Sequence, residues 1–544
     1  MSAERRQGPV LVAVLAILCL SAGLRLWGLS SPREYIFDEV YYAKDARAIL
    51  DGRVGPTADL SWEPGDVVSW PHPESGKFAI AAGIALLGDR PLGWRLPATL
   101  AGTALLACVY PLARRLGLTP GWALVALALA AADTLGIAQS RIATLDVFVA
   151  LWTAVAVLCA LRYVQGGRRP VWLLLAGLAG GLAVATKWSG ALALLAALLV
   201  AVLPSRTWRG PSVVRHETGA AGGEDAGGGR LPRVLLTAAC LVAVPAALYV
   251  AAYGQYFSAG HSLADWRELQ RQMWEFNLHL SASHSYASAA PTWILDYRPV
   301  WYSFEEKRGA YYGIVAMGNP LLWWAATVAL VVAPVAALKR CTAGLLGPAI
   351  IVAALYFPWF AATRTSFLYY MTPVAPFLAI LVAAALAAVA GAGPTGVGHS
   401  ATDQEDDAGD ARRAPWGGTA ASRRRLPSTR RDQLAAGAAA AFAFVSAAIL
   451  WRLAGRCLGL AFREVPGRAA PSLAVTAAVV ATALAALLLG WALRRVGRRR
   501  LRLVLAFALF GAITGIAVAF LPIVVNVGIP SDRFYELMWF PSWI

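Results

Sequence analysis

Residues 10–42 read VLVAVLAILCLSAGLRLWGLSSPREYIFDEVYY: an apolar run from Val10 to Trp27 interrupted only by Arg25, then a short polar turn, then the adjacent carboxylates Asp38 and Glu39 among aromatic residues. About 20 apolar residues suffice to carry a helix across the hydrocarbon of a bilayer. The run follows Glu4, Arg5 and Arg6 and lacks a small-residue cleavage site, which predicts a retained first helix with a cytoplasmic N-terminus. Asp38 and Glu39 then emerge at the opposite, extracytoplasmic boundary.

The rest of the chain repeats this pattern. Of 544 residues, 58% are hydrophobic and 15% charged, whereas soluble domains carry about 25% charged residues. Further apolar runs include 234–253, 321–338 and 503–525. Basic clusters at Arg114–Arg115, Arg168–Arg169, Lys339–Arg340, 423–425 and 498–500 mark cytoplasmic ends. Threading the runs between them predicts an all-α, polytopic membrane protein of about thirteen spans. The net charge of +17 is thereby spent on topology, and nucleic acid is not called for as a partner. Six cysteines lie mostly within apolar runs without CxxC or ligand-like spacing, so neither a disulfide framework nor a metal site is indicated.

Three divisions follow. Residues 1–390 form a membrane domain with two external loops, at about 28–93 and 254–320. Residues 391–432, like 205–233, are low in complexity and read as a disordered cytoplasmic loop. Residues 433–544 supply further spans and an external tail. The loop 254–320 is too polar to span and too aromatic to be disordered, so it is expected to fold at the membrane interface.

Several residues in the external segments suit chemistry. Asp38 and Glu39 sit where partial desolvation raises a carboxylate's basicity, although they also suit the N-terminus of a helix over 43–50. The stretch 70–77, WPHPESGK, precedes the short apolar segment 78–88, which reads as an interfacial helix; His72 is a structural or site residue and Lys77 a site residue or headgroup anchor. Arg141, in QSRIATLD at 139–146, lies on the outer side, where topology does not call for a cation. A phosphate partner or pairing with Asp146 accounts for it, and Lys187 in ATKWSG poses the same question. Tyr41, Tyr42, His284, Trp293, Arg298 and Arg364 add aromatic and guanidinium groups that suit a sugar phosphate or, equally, an interfacial belt.

Taken together, FDEVYY at 37–42, HPxxGK at 72–77 and QSR at 139–141 resemble the protein O-mannosyltransferase family. DYRPVW at 296–301, MGNP at 317–320 and PSWI at 541–544 are similar to its bacterial, specifically actinobacterial, members. The resemblance covers most of the chain to about residue 390 and again from 526, but not 391–525. It implies a GT-C glycosyltransferase fold, no cofactor, and inverting transfer of mannose from a polyprenyl-phosphate carrier to Ser or Thr hydroxyls of secreted polypeptides. Asp38 would then be the base, with Glu39 placing acceptor or sugar. Arg141, then Arg298 and Arg364, with Lys187, would bind the donor phosphate. Tyr41, Tyr42, His72, Lys77, His284 and Trp293 would contact substrate. The site would face outward from the bacterial inner membrane, with the secretion translocon as a candidate partner. The alternatives are another lipid-phosphate sugar transferase of the same fold, or a transporter, which would predict mid-span polar residues and repeat symmetry that the sequence lacks.

Overall fold

A computed structural model describes residues 4–53, 71–203, 207–208, 230–279, 283–338, 343–391 and 499–544. The low-complexity segments expected at 205–233 and 391–432, and the spans expected between 433 and 498, fall largely outside these residues.

Among the described residues, six helices are long and apolar enough to cross a membrane, and six shorter apolar helices accompany them. α1 (Glu4–Leu26) delivers the chain to a polar turn, and α2 (Glu39–Leu50) and α3 (Ser75–Leu87) follow. α4 (Pro91–Arg115), α5 (Pro120–Ala131), α6 (Thr134–Gln139), α7 (Asp146–Gln165), α8 (Pro170–Thr186) and α9 (Ala191–Val202) form the centre. α4, α5 and α8 each start with proline, which presets the backbone torsion of a first helical turn and gives up no bond there. α7 packs against α4, α8 and α9. Its alanine-rich face, with Ala150, Ala154, Ala156 and Ala160 buried, lets neighbouring backbones approach, as small residues do where lipid offers no hydrophobic drive.

α3 packs on α2 and α4. Helix α7 begins at Asp146, so Arg141 lies on the turn after α6 and not within a helix opening at Gln139. The described residues of the segment 254–320 are folded, as its aromatic content predicts. It contains an amphipathic helix, Leu263–His279, and a β-hairpin, β1 (Val300–Lys307) and β2 (Ala310–Ala316). A short strand, β3 (Ile529–Pro530), completes an antiparallel sheet in the order β1-β2-β3. The all-α description therefore acquires one small sheet, built where β-favouring Val, Trp, Tyr, Phe and Ile are concentrated. The register slips between Trp301 and Ser303, leaving Tyr302 on a bulge. The helix Arg499–Phe520 packs against α5 and the helices Pro320–Leu338 and Ala375–Val389.

Candidate active site

The turn between α1 and α2 places Asp38 at the N-cap of α2, yet its side chain makes no capping bond. Among the described residues none donates a hydrogen bond to its carboxylate. The half-buried group stands near Lys187, Asp146, Tyr42, Tyr302 and Tyr369, close enough for mutual electrostatic influence. Burial raises its pKa from 3.8 to about 7; Lys187 opposes the rise and Asp146 adds to it. A carboxylate poised there is half ionised at neutral pH and far more basic than a solvated aspartate. Phe37, just before it, adopts a left-handed φ of 46°, and its ring lies 4.5 Å from that of Tyr302 and 5.7 Å from Tyr369.

Glu39, next in sequence, points elsewhere. It is fully buried and forms a two-pronged ion pair with Arg95 of α4, Oε1 to Nε and Oε2 to Nη2 both 2.8 Å. Its oxygens also accept the backbone N–H groups of Ile36 at 3.1 Å and Ala143 at 3.0 Å. Glu39, expected to place acceptor or sugar, is committed within the fold: the Arg95 bonds tie the Asp38 turn to α4, the Ala143 bond ties it to the 140–145 turn, and the Ile36 bond closes its own start.

Arg141, expected to bind the donor phosphate, is likewise engaged within the fold. Its Nη1 donates to the carbonyls of Leu24, Arg25 and Trp27 at 2.7–3.0 Å, and its Nη2 to Val525 at 3.3 Å. The guanidinium closes the C-terminal end of α1, where orphan carbonyls and the helix dipole favour a cation. Asp146 pairs not with Arg141 but with Lys187, whose Nζ lies 3.1 Å from both carboxylate oxygens. That ammonium also faces the Tyr370 ring at 4.5 Å. Lys77 is no headgroup anchor: its Nζ meets Asp45 at 3.0 Å with both side chains fully buried, joining α2 to α3. Trp293 is a core residue, its indole N–H bonded to Ser288 O at 3.0 Å and its ring against Trp359 and Tyr370.

Of the other expected residues, Tyr42 stands near Asp38. Tyr42 is buried, 6.2 Å ring to ring from His72. Burial, reinforced by Lys187, Lys77 and Arg364, keeps the His72 imidazole well below its ordinary pKa, so it is neutral at pH 7. Arg364 donates to Asn277 Oδ1, and Asn277 Nδ2 donates to Pro71 O at 3.3 Å, joining three distant segments of the chain beside His72. Arg298 is half-buried and reaches Ala287 O at 3.4 Å. His284 and Tyr41 are exposed; His284 accepts the N–H of Tyr286 at 3.2 Å.

Tyr302, Gln139, Tyr369 and Tyr370 lie in stretches the sequence brought forward, but it gave none of them a role of its own. Gln139 Nε2 donates to Tyr302 Oη at 2.8 Å, and Thr144 Oγ1 donates to Gln139 Oε1 at 2.5 Å. The aromatic wall of the site thus comes from β1 and from the 3-10 turn Leu368–Met371. A signal existed in each case, since both tyrosines at 369–370 and Tyr302 follow an arginine-bearing external stretch, but nothing in the spacing says that two distant segments share one wall.

The arrangement sets the Asp38 carboxylate, without a hydrogen-bond donor among the described residues, beside buried tyrosines and the Lys187 ammonium, as a lipid-linked sugar transferase of the GT-C fold needs. Residues 69–258 match the family described as dolichyl-phosphate-mannose-protein mannosyltransferase, and residues 262–397 match the C-terminal four-TMM region of protein O-mannosyltransferase. A polyprenol-phosphate-mannose–protein mannosyltransferase of Corynebacterium glutamicum is 25% identical over 71% of this chain and 84% of its own length. One from Mycolicibacterium smegmatis is 28% identical over 70% of this chain and 82% of its own. The S. cerevisiae protein O-mannosyltransferase Pmt1-Pmt2 complex bound to the sugar donor shares the fold, with a TM-score of 0.65 at 11% identity across 98% of this chain and 93% of that one. The chain belongs to the protein O-mannosyltransferase family.

Proposed function

We propose that this protein transfers mannose from polyprenyl-phosphate mannose to Ser or Thr hydroxyls of secreted polypeptides, on the extracytoplasmic face of the bacterial inner membrane. Acceptors reach it as they leave the secretion translocon. Asp38 takes the hydroxyl proton as the acceptor oxygen attacks the anomeric carbon. The bond from that carbon to the phosphate oxygen breaks, its electron pair leaves with the phosphate, and the configuration inverts. The observation that supports this reading above the others is the state of Asp38: the one carboxylate of the FDE motif left without a hydrogen-bond donor or ion-pair partner among the described residues, with its pKa raised to about 7.

The departing phosphate gains negative charge, which fixed cations at low dielectric stabilise without reorganising. Arg364 and Arg298, whose guanidinium groups spend few bonds inside the fold, take this role first. Lys187, held by Asp146, contributes a more nearly neutral pair and orients the Tyr370 wall. Residues 1–390 carry most of this machinery, and Tyr42 with neutral His72 borders the sugar.

The test is transfer of radiolabelled mannose from polyprenyl-phosphate mannose to a Ser/Thr-rich peptide in membranes containing the wild type or Asp38→Asn. Labelling by the wild type alone supports the reaction and its base. No labelling by an abundant wild type directs the search to another lipid-linked sugar or acceptor.

A further inference from the structure

The segment 526–544 grips the hairpin from both ends. Asn526 N donates to Gly313 O and Asn526 Nδ2 donates to Ser31 Oγ, each at 3.2 Å, while Ile529 and Pro530 pair with Tyr311 and Ala310 of β2. At its other end Trp543, 2% exposed, donates its indole N–H to Asp296 O at 2.7 Å and accepts the indole N–H of Trp301 on its own carbonyl at 2.7 Å. Ser542 Oγ donates to Tyr297 O at 2.5 Å. The stretch 296–301 is thus held at three points by two consecutive residues.

That stretch ends one residue before Tyr302. Trp301 faces the segment 526–544, and Gly313, which pairs with Phe304 on the neighbouring strand, leaves its ring room, since a Cβ there would meet the Trp301 ring at 2.4 Å. Tyr302 faces Gln139, Phe37 and Tyr369. Because Tyr302 sits on the bulge, the ladder does not fix its direction, and bulges beside active sites serve to aim a side chain. What fixes it is the grip on 296–301 on one side and the Gln139 amide on the other.

We infer that Trp543 is a positioning residue of the reaction centre, acting through 296–301 and the Tyr302 bulge on the Phe37–Asp38 turn. The inference rests on the proposed transfer reaction and assigns it a part outside the matched family regions. Trp543 touches no reacting group; it sets where the Tyr302 ring meets Phe37, and so where Asp38 points.

The experiment measures kcat and KM for polyprenyl-phosphate mannose in membranes matched for protein, for wild type, Trp543→Phe, Trp543→Ala, Tyr302→Ala and the double variant Trp543→Ala/Tyr302→Ala. Small misplacement of a reacting group costs on the order of 10- to 100-fold in rate. A loss of that size in kcat is expected for Trp543→Ala, with KM within about twofold of wild type. Trp543→Phe, which keeps a smaller aromatic ring and loses the indole N–H, should recover part of it and remain foldable. The double variant should be no slower than Tyr302→Ala alone, because both changes remove the same link. Losses that multiply, or a Trp543→Phe and Trp543→Ala pair with wild-type kcat, overturn the inference and leave the transferase reading standing. A wild type that transfers no mannose overturns both.

Discussion

Asp38→Asn should make the protein more stable and nearly inactive, and the two effects should share one pH dependence. The folded-state pKa of about 7 lies above the ordinary 3.8, so between these values the folded protein holds a proton that the unfolded chain has released. Stability contributed by this group is therefore full below about pH 4 and is lost as pH rises to 7. The shift of about 3 units, at 1.36 kcal/mol each, amounts to ~4 kcal/mol as an upper figure for a half-buried group. The isosteric amide never ionises and escapes that cost. Thermal unfolding in detergent should place Asp38→Asn above the wild type at pH 8 and level with it near pH 4. In the transfer assay, wild-type kcat/KM should rise with unit slope to a plateau through a midpoint near 7, and the variant should fall ~10²- to 10⁴-fold, the usual worth of a general base. A variant that keeps its activity, or a wild-type profile flat from pH 5 to 8, refutes the assignment. Equal stability at both pH values refutes the burial argument behind it.

Glu39→Ala should behave in the opposite way: Arg95 is left charged and buried, a loss of ~3–5 kcal/mol, and immunoblots should show the protein depleted from membranes. Asp146→Ala should likewise strand Lys187, lowering thermal stability by a similar ~3–5 kcal/mol. Arg141→Ala should reduce abundance because it uncaps α1, whereas Arg364→Ala should leave abundance unchanged and lower kcat/KM for the donor by about tenfold or more, the worth of a charge-assisted contact of ~1.5–3 kcal/mol. Radiolabel kinetics beside quantitative blots separate the two arginines.

Hydropathy and charge placement made the membrane architecture legible, because the bilayer imposes segment length and loop charge on any sequence that crosses it. The external segment 254–320 was legible as folded but not as a hairpin, and the third strand, contributed by Ile529–Pro530, lies more than 200 residues from its partner β2. For the site, the sequence brought forward the right short stretches and could not assign partners within them. Arg141 on the outer side of a membrane protein invites an anion, but its bonds go to the carbonyls of Leu24, Arg25 and Trp27, which carry no sequence signature at all. Lys77 and Lys187 were visible as cations, while Asp45 and Asp146, which hold them, are distinguishable only once α2, α3, α7 and α8 are packed together. A buried charge is explained by its partner, and partners are tertiary.

The different fates of Asp38 and Glu39 follow from their being neighbours at a helix start. Consecutive residues on a helix project about 100° apart, so two adjacent carboxylates do not face one site. Had both stood free in the same chamber, mutual repulsion would have raised one pKa further and left the base and its proton shared between them. Here the Arg95 fork and two backbone N–H groups take up Glu39 completely. The residue that looks like a second catalytic acid thereby anchors the turn on three sides: to α4 through Arg95, to its own start through Ile36, and to the 140–145 turn through Ala143. Asp38, one peptide away, inherits a fixed backbone without its carboxylate spending a hydrogen bond among the described residues. A base must be held still and yet remain unpaired, and in this chain the requirement is met by dividing it between two carboxylates.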